Sequence, residues 1–224
     1  MKKDFLVLTC TLGGKDKLVD PTFKFDSCDY IAIVDKNHDV KTWEQYDFYN
    51  FSSIDNFTHK RNAKIYKVLS TILFPDYKYI IWHDGNYELN VDPKNIIEKY
   101  GEHDFYTIQH PIRNCSYEEM NVVSNSGRDN AKLVESQYNY YNEQNFPREF
   151  GLYAMGNSMK RVNVKITTLE LKWWEQITKY SSRDQCSFMY CVWDMQQNGM
   201  PINIKNLGIL DKNIYFKNKG TRLL

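Results

Sequence analysis

Residues 65–90 read IYKVLSTILFPDYKYIIWHDGNYELN, and a change of rhythm inside this stretch decides the fold. In its first part Ile65, Val68, Leu69 and Ile72 fall at i, i+3, i+4 and i+7. That is the spacing of an amphipathic helix running from about 59 to 72, with Thr58 as a suitable N-cap. In its second part Tyr79, Ile80, Ile81 and Trp82 form an unbroken apolar run, as a strand covered on both faces requires. The run gives way at once to His83, Asp84, Gly85 and Asn86. A helix feeding a buried strand is the repeating unit of an α/β fold, in which ligands bind beyond the carboxyl ends of parallel strands.

Working outward, the same plan recurs. Residues 5–11, FLVLTCT, form a β-branched and aliphatic run that ends at Gly13-Gly14. YIAIVDKN at 30–37 carries Asp35 where its apolar part stops, and FYTIQHP at 105–111 is a further strand. Residues 114–147 are charged, amide-rich and helix-like, GLYAMGNSMKR (151–161) reads as strand or turn, and residues 168–195 as two helices broken near Ser181-Ser182. The tail from Gly199 is rich in asparagine and lysine, with short β-like pieces PINIKN and NIYFKN. No repeat, low-complexity tract or linker divides the chain, so residues 1–224 are expected to form a single domain around a mostly parallel sheet flanked by helices.

Composition narrows the function. Lys plus Arg number 29 against 28 Asp plus Glu, so the chain lacks the basic footprint of a general nucleic-acid binder and any anion must be held locally. Aromatic residues reach 15%, which suits stacking on sugars or bases as well as filling a core. Five cysteines without close pairing suggest a reducing, cytosolic compartment. The opening MKKDFLVLTCTLGG is too short and too interrupted, by Asp4, for a signal peptide, and no segment approaches the ~20 apolar residues of a membrane span. A soluble, cytoplasmic protein without a membrane span is expected.

Four places carry chemistry. Asp84 and Asn86, with Gly85 allowing a sharp turn between them, offer oxygen ligands of the kind Mg²⁺ or Mn²⁺ prefers, although Asp-Gly and Gly-Asn are also ordinary turn dipeptides. Arg61, Lys64 and Lys67 are spaced by three and form a basic row on the helix ahead of them, either a solvated face or a diphosphate clamp. HPIRNCSYEE delivers His110, Arg113, Glu118 and Glu119 at a strand end, where Arg113 could grip a phosphate or simply pair with Glu118 or Glu119. Finally, SSRDQCSF places Asp184 in the first turn of a helix. There it is a favourable helix start, a base for an attacking hydroxyl, or a stabiliser of positive charge on a sugar carbon.

Taken in order, HKRNAKIYKVLSTILFPDYKYIIWHDGNYELNVDP, HPIRNCSYEE, GLYAMGN and RDQCSF resemble a glycosyltransferase-like family first catalogued as a domain of unknown function, with plant cell-wall, bacterial and viral members. The match covers about residues 58–190. The resemblance implies a glycosyltransferase-A fold that moves a sugar from a nucleoside diphosphate donor, UDP-sugar favoured, to a hydroxyl of a glycan or other acceptor, as in polysaccharide biosynthesis. It assigns Asp84 and Asn86 to a Mn²⁺ or Mg²⁺ ion and the diphosphate. It gives donor binding to Thr9, Thr11, Asp35, Arg61, Lys64 and Gln185 and catalysis to Asp184; the strand-end reading of HPIRNCSYEE adds His110 to donor binding and Arg113 to catalysis. Two departures stand out: the usual Asp-x-Asp is Asp84-Gly85-Asn86 here, and no histidine follows His110 to serve as a further ligand. No nucleic-acid partner is implied, and the chain could form part of a larger glycosylation protein. The rival readings are an inactive carbohydrate-binding module and a metal-dependent phosphoesterase.

Overall fold

The computed structural model describes residues 3–14, 16–49, 59–209 and 214–219; the expected N-cap Thr58 lies outside them. Seven strands form one sheet in the order β3-β2-β1-β4-β7-β6-β8. They are β1 (Phe5–Thr11), β2 (Cys28–Val34), β3 (Glu44–Asp47), β4 (Tyr79–His83), β6 (Phe105–Gln109), β7 (Tyr153–Arg161) and β8 (Ile204–Ile209). Strands β3, β2, β1 and β4 are parallel neighbours, as are β6 and β8, and β7 runs antiparallel between β4 and β6. The sheet is therefore mostly parallel, as the continuous apolar runs require. A two-stranded antiparallel ribbon pairs β5 (Tyr87–Leu89) with β9 (Phe216–Asn218).

Strand alternation sorts the core into two faces. Leu6, Leu8, Ile31, Ile33, Ile80 and Trp82 meet Ile65 and Tyr66 of helix α1 (His59–Val68) on one side. Val7, Ala32, Tyr79 and Ile81 meet Ile96 of α3 (Pro93–Tyr100), Leu89 and Phe216 on the other. A third cluster lies among α4 (Ser116–Asn125), α5 (Ala131–Glu143), α6 (Val164–Lys179) and α7 (Asp184–Gln197), centred on Phe105, Trp173 and Phe188.

The helix expected over 59–72 is divided. It stops at Val68, and a short α2 (Ser70–Leu73) follows Leu69. The cause is a buried ion pair from distant sequence. Lys160 on β7 donates to the Lys67 and Val68 carbonyls at 2.8 and 3.1 Å, and Glu170 on α6 accepts from the Thr71 amide and hydroxyl. Lys160 and Glu170 bond each other with both side chains 1% exposed. One side chain thus satisfies the carbonyls at the end of α1 and its partner the amide at the start of α2. The break turns Ile72 outward, to 37% exposure, although the apolar spacing places it on the buried face.

Candidate functional site

The register of β1 against β4, Phe5 opposite Tyr79 through Leu8 opposite Trp82, brings the ends of these strands together at one edge of the sheet. Beyond them opens a cleft of about 570 Å³, within the range of small-molecule sites. Cys10, Leu12 and Gly13 form its β1 side, Trp82 to Asn86 except His83 its β4 side, and Lys60, Lys64 and Lys67 its α1 side. Among the described residues five basic side chains line it against three acidic ones, so its field favours an anion. A second cavity of about 300 Å³ adjoins it, and the two share Lys64, Lys67, Asp84, Asn86 and Arg183.

Asp84 follows β4 in a tight turn, its amide donating to the Gly156 carbonyl at 2.8 Å and its carbonyl accepting from Tyr87 N at 2.9 Å. Two glycines fit around it. A Cβ on Gly85 would stand 2.8 Å from the Asp16 Cβ, and one on Gly156 would stand 3.3 Å from Asp84 Oδ2. The Asp84 Oδ1 atom accepts from the Trp82 indole at 2.9 Å and faces the Lys67 ammonium at 3.3 Å.

Lys67 also lies 2.6 Å from Asp184 Oδ2, and Lys64 lies 2.9 Å from the same oxygen. Both the Lys67 and Asp184 side chains are under 5% exposed. Burial alone would raise the Asp184 carboxyl; Lys64, then Lys67 and Arg183, outweigh it and hold it well below the usual carboxylate range. Burial likewise would lower the Lys67 ammonium, but Asp184 and then Asp84 overcome it and keep it protonated above its ordinary value.

The start of α7 is set by a loop far away in sequence. Asp129, between α4 and α5, accepts from Ser181 Oγ, Ser182 N and Ser182 Oγ through one oxygen, at 2.8, 2.7 and 2.8 Å. Trp173 Nε1 donates to the Asp184 carbonyl at 3.1 Å. Asp129, a cleft residue, has no local motif that announces it.

Several expected site residues are placed elsewhere. Arg61 is buried with its guanidinium donating to the Tyr180 carbonyl at 2.6 Å, so it braces the turn before α7 and does not line the cleft. A spacing of six residues carries a helical position about 120° around the axis, so Arg61 and Lys67 cannot share a face. Thr9 is fully buried, donating to the His83 carbonyl at 2.9 Å; with Thr11 it falls on the opposite face of β1 from Cys10, which lines the cleft. Asp35 is exposed and acts at one remove, accepting from Gly13 N at 2.6 Å where that glycine turns with φ 72°. His110 and Arg113 gather at the end of β6 and line neither cavity. Arg113 pairs with Glu119 at 2.6 Å, the internal pairing that the sequence left open, and its amide donates to His110 Nδ1. Lys64, Asp84, Asn86, Asp184 and Gln185 do come together, with Gln185 accepting from Arg183 at 3.2 Å. Lys67, left out of the donor set expected from the resemblance, is at the centre of them.

A divalent cation does not fit this arrangement. Among the described residues no three His, Cys, Asp or Glu side chains converge as a metal-holding group. The one carboxylate of the expected pair has an oxygen committed to Trp82 Nε1 and the Lys67 ammonium, and a dication bound there would face that fixed positive charge. His83 is no ligand either: it is 1% exposed on the opposite face, edge-on to Trp43, with burial and then Lys219 lowering it to about 4.

Among the described residues no helix is long and apolar enough to cross a membrane. The five cysteines are buried and unpaired. Over 92% of the chain the fold is similar to the apo structure of the bifunctional glycosyltransferase WbbM, with a TM-score of 0.52 and 9% identity, covering 38% of that chain. In sequence the chain is 28% identical over 166 residues to the Arabidopsis thaliana protein named "Probable hexosyltransferase MUCI70", a match that takes in 69% of this chain and 28% of that protein's length. The TOD1/MUCI70 glycosyltransferase-like domain profile matches residues 29–209, and the chain belongs to that family.

Proposed function

We propose that this glycosyltransferase-like domain transfers a hexosyl group from a nucleoside diphosphate sugar, UDP-sugar favoured, to a hydroxyl of a glycan or other acceptor. Glycosyl transfer as a class follows from the family; the hexosyl group rests on the name of the Arabidopsis relative, and the uridine base on the resemblance alone. One observation carries the donor reading: Lys64, Lys67 and Asp84 stand on the wall shared by two cavities at the carboxyl edge of the strands, with Asp184 beside them in the smaller one.

When the bond from the anomeric carbon to the diphosphate breaks, negative charge grows on the departing phosphate oxygen. Cationic groups held in place before the reaction stabilise that charge without reorganising. Lys64 and Arg183, present in both cavities, are such groups. Asp184 fits the charge-stabilising role better than the base role. A carboxylate clamped by two ammonium groups is a weak proton acceptor, so it anchors the lysines and faces positive charge on the sugar.

The test is calorimetric titration with a panel of nucleoside diphosphates. One base should bind, and Lys64→Gln should weaken it by about tenfold, as loss of one charge-assisted contact does. Binding of glycans with no nucleotide binding at all would replace the transferase with a carbohydrate-binding module.

A further inference from the structure

We propose that the Lys67 ammonium, seconded by Lys64, is this domain's own counter-charge for the donor diphosphate and stands in place of a divalent cation. The inference rests on the nucleotide-sugar reading above and adds to it the identity of the cation. A metal in such a site does two things: it places positive charge beside the leaving phosphates, and it ties them to a carboxylate at a strand end. Lys67 does both with protein atoms.

Its ammonium lies within 3.3 Å of the Asp84 carboxylate and 2.6 Å of the Asp184 carboxylate. The Asp84 contact takes one of the three N–H donors of the ammonium, the Asp184 contact pairs its charge, and the residue lines both cavities. The Trp82 ring supports it from 5.7 Å, and the Trp82 indole N–H fixes the Asp84 oxygen that it faces. Its backbone is equally constrained, because the buried Lys160 holds the Lys67 carbonyl at 2.8 Å. A charge held this firmly is preorganised in the sense that matters for a developing anion.

Asp84 then has a different task from the one its place in the sequence suggests. It orients an ammonium and is not a metal ligand. Asn86, 7% exposed, is fixed through its carbonyl, which accepts from Lys219 N at 2.8 Å.

The experiment titrates the purified chain with UDP, GDP, ADP and CDP, first in EDTA and then with excess Mn²⁺ or Mg²⁺. The expected result is the same dissociation constant for the preferred nucleotide in both buffers. Lys67→Gln should weaken it at least about tenfold in EDTA, and Lys67→Arg should recover most of that loss. Nucleotide binding that appears only with metal overturns the proposal while leaving the transferase reading intact. A folded Lys67→Gln protein that binds like the unaltered one overturns it too. If no nucleotide binds in either buffer, the donor reading itself falls and the counter-charge falls with it. Should Lys67→Gln fail to fold, the comparison of EDTA with Mn²⁺ on the unaltered chain decides alone.

Discussion

At the scale of single residues, the two ends of one dipeptide lead separate lives. Asp84 faces the cleft, while His83, one strand position earlier, is sealed against Trp43 with ring centroids 5.7 Å apart. Period-two alternation is enough to part them. The buried imidazole has a measurable consequence. Its value falls from 6.5 to about 4 in the folded chain, so between these limits the unfolded state binds the extra proton. Its contribution to stability is therefore complete above 6.5 and is lost as pH falls through about 4. His83→Phe, which keeps a ring against Trp43, should remove this dependence. Urea unfolding compared at about pH 7 and about pH 4.5 should show the unaltered protein losing roughly 2 kcal/mol more than the variant. Equal losses would mean that His83 titrates normally.

At the scale of elements, the division of α1 from α2 falls just after Lys67, whose carbonyl is held by Lys160, about a hundred residues away. Removing one member of the buried Lys160 and Glu170 pair leaves an uncompensated charge. Lys160→Met should cost about 3–5 kcal/mol in urea unfolding, and adding Glu170→Leu should restore part of it. A Lys160→Met protein with the original urea midpoint would refute this account of the break. The same non-local origin explains what the sequence could and could not tell. Strands β1, β2, β4 and β6 were legible because strands covered on both faces must be written as continuous apolar runs. Strand β3, EQYD, is mostly exposed, and nothing in its composition sets it apart from a loop. The basic row on α1 was visible, yet its division between Arg61 and Lys67 depends on helical rotation and on where Tyr180 lies. Asp84, Asn86 and Asp184 stood out as candidates because they follow a strand or start a helix, and Lys64 because it belongs to the basic row on α1; Asp129 did not, since its role is to hold Ser181 and Ser182.

At the scale of the whole molecule, the chain closes on its own site. Residues 214–219 return to the turn after β4: β9 pairs with β5, Asn90 N donates to the Tyr215 carbonyl at 2.8 Å, and Lys219 N reaches the Asn86 carbonyl. Phe216 fastens this segment, 2% exposed in the core beneath the sheet with Leu89 and Ile96. The face opposite the cleft therefore supports the turn that presents Asp84 and Asn86. Phe216→Ala should cost about 3–5 kcal/mol, as for other buried aromatics. It should also weaken nucleotide binding under conditions where the variant is still fully folded. Ile166→Ala, a cavity made at the start of α6 in the helical cluster, provides the control, because it lowers stability without touching β5, β9 or either cavity. If both variants bind nucleotide equally well when folded, the clasp is a matter of stability alone. If only Phe216→Ala loses affinity, the pairing of β5 with β9 is part of what holds the diphosphate end of the cleft in shape.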